Sequence, residues 1–324
     1  VPWLRLYFCM YSNFNSYSMI FLCYKKVWLL FLFIITVVVA QAQPLVIATY
    51  QYADNNRIAN IQPLANHIAA KTGTTVEVKS YPTVHLLIEA IQKNEVDIAL
   101  INSFGYFMLE ASPTAYPMKP YAVLRVKEHA KDNYKTAIII ADRYKADTLR
   151  DVKPIASSLR LMLVSPGSTS GNLVPRLAFN SVGLKNPETD FKQVSYGKNH
   201  KAAVDSVILG KADIAAVGST EYFSLLNDSI RAKQIKLLWL SPEIPLGPLL
   251  INNRVTTPLR NSIVTLLLEL HQTNAPALEA VKKGWSEAAQ TDQFIRLPKN
   301  YYKPFRKQSG DEKTMAKIIK QFVN

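Results

Sequence analysis

Three consecutive hydroxyl residues, Ser168, Thr169 and Ser170, stand in the run Ser165-Pro166-Gly167-Ser168-Thr169-Ser170-Gly171. The run follows an apolar segment, Leu161–Val164, and opens a stretch of helical pattern from about Gly171 to Ser181 that Gly183 stops. A loop leaving a strand and opening a helix presents backbone N–H groups without intrahelical acceptors, at the positive end of the helix dipole. Hydroxyls at that place add donors, so an anion with several oxygens suits it. An ordinary N-cap in a polar turn uses the same residue types, and the pattern alone leaves that reading open. Enzyme patterns fit less well. A G-x-S-x-G elbow needs Ser at its centre, where Thr169 stands. No Gly-Lys-Ser/Thr follows a glycine at phosphate-loop spacing.

The next strand-to-helix turn is Tyr196-Gly197-Lys198-Asn199-His200. His200 at a helix start could donate a hydrogen bond to the same anion, or be a solvated turn histidine. Glu221 follows a third strand, in Gly218-Ser219-Thr220-Glu221. It reads either as a first-turn acid favoured by the dipole or as an acceptor for a ligand donor or a protonated oxygen. Tyr81 and Tyr134 would offer flat walls with one hydroxyl each. The five histidines form no H-x-x-x-H or H-E-x-x-H pair, so neither a zinc site nor any other metal or cofactor is expected.

These residues need a scaffold of strands alternating with helices. In the first half the expected strands are Leu45–Thr49, Thr75–Tyr81 and Asp97–Ile101. Between them lie a helix around Pro63–Lys71, ended by Gly73, and one capped by Thr83. The second half repeats the order with Leu161–Val164, Phe191–Val194 and Asp213–Val217, and helices at 171–181 and 200–209. The segment DIAA at 213–216 echoes DIAL at 97–100. Such alternation implies right-handed βαβ units and parallel sheets, here in two α/β lobes. TAIII at 136–140 is expected to cross between the lobes, and Leu237–Leu240 with Ser241-Pro242 to lead back. The remainder, from about Arg254, reads as mostly helical, and its basic, Pro-broken tail is expected to lie on the surface.

The 324 residues suit two such lobes, and 48% hydrophobic against 19% charged content allows each a core. Residues 1–42 differ from the rest. Lys25-Lys26, the uncharged run Val27–Ala40 and Ala40-Gln41-Ala42 have the form of a secretory signal peptide, with Met19 a plausible start; an uncleaved anchor is the other reading. Cys9 and Cys23 both precede the expected cut, which leaves the exported chain without disulfides or thiolate chemistry. The net charge is +14, of which the leader holds Arg5, Lys25 and Lys26 and no acid. A basic balance favours anionic partners, but dispersed charges and an exported destination argue against nucleic acid.

Ser168-Thr169-Ser170-Gly171-Asn172-Leu173-Val174-Pro175 resembles the STSG-x-LVP signature of the periplasmic phosphate/phosphite/phosphonate-binding proteins of ABC transporters. Asn199-His200-Lys201-Ala202-Ala203, Gly210-Lys211-Ala212-Asp213 and Ser241-Pro242-Glu243-Ile244-Pro245 are similar to further segments of that family, over about residues 45–300. The resemblance implies a type II periplasmic-binding-protein-like clamshell, two α/β lobes joined by a two-strand hinge. Residues 43–138 plus 242–324 would form one lobe and 139–241 the other. It implies oxyanion contacts from Ser168, Thr169, Ser170 and His200, walls from Tyr81 and Tyr134, and a ligand contact from Glu221. The implied partners are a small phosphorus oxyanion and a membrane permease with its ATPase. A role as sensory input to a signalling partner, or as a secreted serine hydrolase using Ser170 and His200, are the alternatives. Family members that bind aminoalkyl phosphonates carry a second acid just after S-P-x-I-P, where this chain has Leu246-Gly247-Pro248. That departure speaks against an amine-bearing ligand, because a buried ammonium needs compensation.

Overall fold

The computed structural model describes residues 43–53, 55–130, 133–308 and 312–323. The expected leader, 1–42, lies outside the described residues. Two sheets organise the rest, one in each lobe of a clamshell. The first has six strands: β1 Leu45–Tyr50, β2 Val76–Tyr81, β3 Ile98–Leu100, β4 Met118–Val126, β10 Leu249–Asn252 and β11 Thr291–Arg296, in the order β2-β1-β3-β10-β4-β11. The second has five: β5 Thr136–Ala141, β6 Arg160–Leu163, β7 Gln193–Tyr196, β8 Ile214–Gly218 and β9 Ile235–Leu240, in the order β7-β6-β8-β5-β9.

The two sheets share one plan. β1, β2 and β3 are parallel, as are β6, β7 and β8. In each sheet the next strand is antiparallel and arrives after the chain has crossed from the other lobe: β10 beside β3, β5 beside β8. The central strands β1, β5 and β8 are buried along their whole length. Sheets covered on both faces favour such continuous apolar runs over alternation.

The DIAL/DIAA echo has a structural reason. Asp97 Oδ2 accepts the Val46 N–H at 2.9 Å, and Asp213 Oδ2 accepts the Arg160 N–H at 2.9 Å. In both lobes this aspartate ties the start of the third strand to the start of the first. Each is also ion-paired, Asp97 with Arg254, and Asp213 with Arg160 and Arg143.

Several expectations need correction. The crossing segments are 127–135 and 241–248, not TAIII. Thr136–Ile140 pairs residue by residue with β8, so the whole strand belongs to the second sheet and the boundary expected at 138 falls inside it. The two crossings are bonded to each other: Ser241 N–H donates to Thr136 O at 2.9 Å and Ile244 N–H to Tyr134 O at 2.8 Å. The first helix, α1, runs Arg57–Thr72, with Asn56 accepting the Ala59 N–H and Pro63 inside it. Gly73 ends it in the left-handed conformation (φ 68°). The tail forms helices Lys303–Gln308 and Glu312–Lys320, in keeping with a helical remainder, but it does not lie wholly on the surface. Met315, Ile318 and Ile319 are buried there, because i, i+3, i+4 spacing puts them on one face. They join a core cluster with Phe107 of the first lobe and Leu173, Val174 and Leu177 of the second.

Candidate functional site

The hydroxyl loop sits at the carboxyl end of β6, where ligands of open parallel sheets bind. It opens a π-turn, Thr169–Leu173, that continues as helix Val174–Ser181. The three hydroxyls have different duties. Ser168 Oγ caps the helix, accepting the Gly171 N–H at 3.0 Å. Thr169 Oγ1 accepts the Phe104 N–H of the first lobe at 3.1 Å. Both keep a proton to donate, since an accepting hydroxyl retains its O–H. Ser170 Oγ is buried and, among the described residues, has no partner of hydrogen-bonding geometry, with the Tyr134 hydroxyl as a polar neighbour; its carbonyl is fixed by the Thr136 hydroxyl at 2.8 Å. A buried hydroxyl left unpaired costs free energy, about 1–3 kcal/mol, which an incoming oxygen acceptor would recover.

His200 starts helix His200–Ile208, which Asn199 caps through the Ala202 N–H. Its Nδ1 accepts the Gly218 N–H at 2.9 Å. Burial lowers its pKa to about 4, so at neutral pH the ring is uncharged. With Nδ1 occupied as acceptor, the proton resides on Nε2, which becomes a donor. A methyl carbon on Gly218 would lie 3.4 Å from Nε2 and 3.6 Å from Ser170 Oγ. The two groups therefore converge over a glycine whose missing side chain leaves the space open. Ser170 and His200 are not hydrogen-bonded to one another, so no nucleophile–base pair is formed.

These groups meet a cleft of about 600 Å³ between the lobes. Ser168, Thr169 and His200 line it from the second lobe, and Tyr134 from the crossing segment. The Tyr134 hydroxyl lies beside Ser170 and Thr169, while burial holds its pKa far above the ordinary tyrosine value. The Tyr52 hydroxyl accepts the His200 N–H across the cleft at 3.2 Å. Asn102 Nδ2 donates to Gly167 O at 2.9 Å, a second bond between the lobes. Ser170, Tyr81 and Glu221 are outside the lining, Ser170 lying just behind Thr169. Tyr81 packs partly buried against the first-lobe core. Glu221 is half-buried beside Lys201 and Asp205, its pKa raised by burial.

The sequence reading missed Tyr50, Tyr52, Asn102, Arg57 and Glu287, all of which line the cleft. The first two carried a usable signal, since Tyr50 ends β1 and Tyr52 follows it, as the hydroxyl loop follows β6. Arg57 and Glu287 carried none, being 230 residues apart and joined only by the fold. The lack of an acid at position 247 also has a cause. A Cβ on Gly247 would lie 1.9 Å from Ile101 O, so no side chain fits. Glu287 instead brings a carboxylate to that neighbourhood, lining a small cavity together with Gly247.

Among the described residues no three His, Cys, Asp or Glu side chains are grouped so as to hold a metal ion. Residues 47–300 match the family described as "ABC transporter, phosphonate, periplasmic substrate-binding protein". The chain belongs to this family of periplasmic substrate-binding proteins. It is 22% identical over 253 residues to the phosphonates-binding periplasmic protein of Escherichia coli, covering 76% of this chain and 72% of that protein. It is 22% identical over 171 residues to a probable phosphite-binding protein, PhnD1, of Prochlorococcus marinus. That match spans 52% of this chain and only 56%, little more than half, of the relative. The structure of PhnD1 in complex with methylphosphonate superposes with a TM-score of 0.62 at 13% identity, over 84% of this chain and 99% of the other. A binding protein component of an ABC phosphonate transporter from Pseudomonas aeruginosa gives 0.63 at 23% identity, over 86% and 94%. The clamshell of this periplasmic binding protein, with its cleft between two parallel-sheet lobes, is thus the family architecture.

Proposed function

We propose that this binding protein captures a phosphorus oxyanion (a phosphonate, phosphite or phosphate) between its lobes and delivers it to a membrane permease and its ATPase. The observation that carries the reading is the Ser170 hydroxyl, buried, without a partner, at a helix start and facing the Nε2–H of a neutral His200. Phosphoryl oxygens supply the acceptors that the Ser168, Thr169 and Ser170 hydroxyls, the first helical N–H groups and His200 lack. Tyr134 and Tyr52 close the other side. Tyr81 and Glu221 are given no part; Ser170, also outside the lining, is kept because its hydroxyl and His200 Nε2 meet over Gly218.

The protein is a carrier and not a hydrolase. His200 Nδ1 accepts a backbone N–H where a triad would place a carboxylate, which leaves Nε2 a donor and not a base for Ser170. Its place is extracytoplasmic, with residues 1–42 as the export signal. The lobes are residues 43 to the crossing before Thr136 together with 242–324, and the intervening segment through Ser241.

A thermal-shift series tests the reading. Methylphosphonate, phosphite or phosphate at 100 times its Kd would stabilise the protein by about 2.7 kcal/mol, read as a rise in Tm. No shift with any of the three at millimolar concentration would overturn the assignment.

A further inference from the structure

Arg57 is 2% exposed, yet it forms part of the cleft wall. Its guanidinium lies over the Trp285 ring at 4.1 Å and near Tyr50 and Tyr52, at 5.5 and 6.0 Å. Among the described residues Nε and Nη1 have no hydrogen-bond acceptor. Aromatic faces repay part of the cost of burying this charge, but an unpaired buried guanidinium still lacks the acceptors its geometry suits, above all a carboxylate.

Glu287 stands in the same wall. Among the described residues its carboxylate meets its own backbone N–H and, at 3.5 Å, its neighbour's hydroxyl, Ser286 Oγ, and no cation within ion-pair distance. Tyr50, Tyr52 and Tyr134 all feel its charge, which places it among the cleft tyrosines. Tyr134 in turn touches Ser170 and Thr169, so it links this wall to the oxyanion loop.

The pair are close enough to influence each other's charge but do not bond. Each is therefore free for a ligand group of opposite sign. A carboxylate alone would meet Arg57 but be repelled by Glu287. An ammonium alone would meet Glu287 but be repelled by Arg57. A group carrying both satisfies both. The cleft has space for it: about 600 Å³ is roughly twenty waters at about 30 Å³ each, several times a bare tetrahedral anion.

We infer that Arg57 and Glu287 form a second subsite for a zwitterionic amino-carboxylate group, so that the preferred ligand is a phosphonate whose carbon arm ends in an amino acid head. The inference rests on the oxyanion reading of the hydroxyl loop and adds the far end of the same ligand. Glu287, rising from a different part of the chain, takes the place that Gly247 cannot fill.

The test is calorimetric titration of the intact protein with four probes: methylphosphonate, 2-aminoethylphosphonate, 3-phosphonopropionate and 2-amino-3-phosphonopropionate. The last is expected to bind at least tenfold more tightly than any of the others. Glu287→Gln and Arg57→Lys should each remove that advantage while leaving methylphosphonate affinity within about twofold, which also shows that the variants are folded. Equal affinity of all four probes overturns the second subsite and leaves the oxyanion site standing. So do variants that weaken every probe alike. Failure of all four to bind overturns both.

Discussion

Gly167 of the second lobe lies against Val84, the first residue of the helix that Thr83 caps in the first lobe. A Cβ at Gly167 would stand 2.1 Å from Val84 Cγ1. Carbon atoms in contact sit about 3.5–4.0 Å apart, so Gly167→Ala must separate the lobes here by more than 1 Å or force Val84 from its rotamer. The backbone at 167 is not left-handed, so a methyl adds no φ strain and the contact is the whole effect. Overpacking of this kind costs about 1–3 kcal/mol. If that cost falls on the closed state, Kd rises about 5- to 150-fold at 1.4 kcal/mol per decade. Val84→Ala removes Cγ1, and the nearest remaining carbon, Val84 Cβ, is 3.4 Å from the new methyl, an ordinary contact. The double variant should therefore regain most of the lost affinity. Titration of methylphosphonate into the wild type, both single variants and the double variant closes a double-mutant cycle. Wild-type affinity in Gly167→Ala, or a double variant as weak as the single, would refute the closure contact.

Further expectations follow from the same geometry. Tyr52→Phe deletes the acceptor of the His200 N–H across the cleft. It should raise Kd about fivefold, the worth of about 1 kcal/mol, with the ligand-free Tm unchanged. His200, held at about 4 against an ordinary 6.5, contributes nothing to pH dependence above pH 6.5, where both folded and unfolded states are neutral. Between pH 6.5 and 4 the unfolded chain takes a proton that the folded state refuses, so stability should fall by up to about 3 kcal/mol. Urea melts at pH 7.5 and 4.5 should show this loss in the wild type and not in His200→Gln; equal losses would contradict it. Asp213→Ala strips the acceptor of the Arg160 N–H at the start of β6, and should cost about 1–3 kcal/mol of stability in a urea melt, the worth of a buried polar group left unpaired. If the variant is as stable as the wild type, the tie between β6 and β8 is not what holds the lobe.

The parts of this protein that repeat locally could be read from the chain. Apolar runs alternating with helices that glycines end marked the parallel strands, and the two DIA segments marked a matching aspartate in each lobe. The hydroxyl loop was legible because strand, loop and helix start are contiguous. The helical character of the tail was legible too, but the burial of Met315, Ile318 and Ile319 was not, because lysines and an acid surround them in the sequence. The crossing points were displaced, because TAIII looks the same whether it links two sheets or lies within one. Arg57 and Glu287 were out of reach altogether. Neither belongs to a motif, and only the return of the chain to the first lobe after β10 brings them into one wall.

The most direct test of the central claim is a crystal structure of the protein grown with methylphosphonate. The expected result is a phosphorus atom over Gly218, with its oxygens within hydrogen-bond distance of the Ser168, Thr169 and Ser170 hydroxyls and of His200 Nε2. A phosphonate bound elsewhere, or a cleft holding only water at saturating ligand, would contradict it.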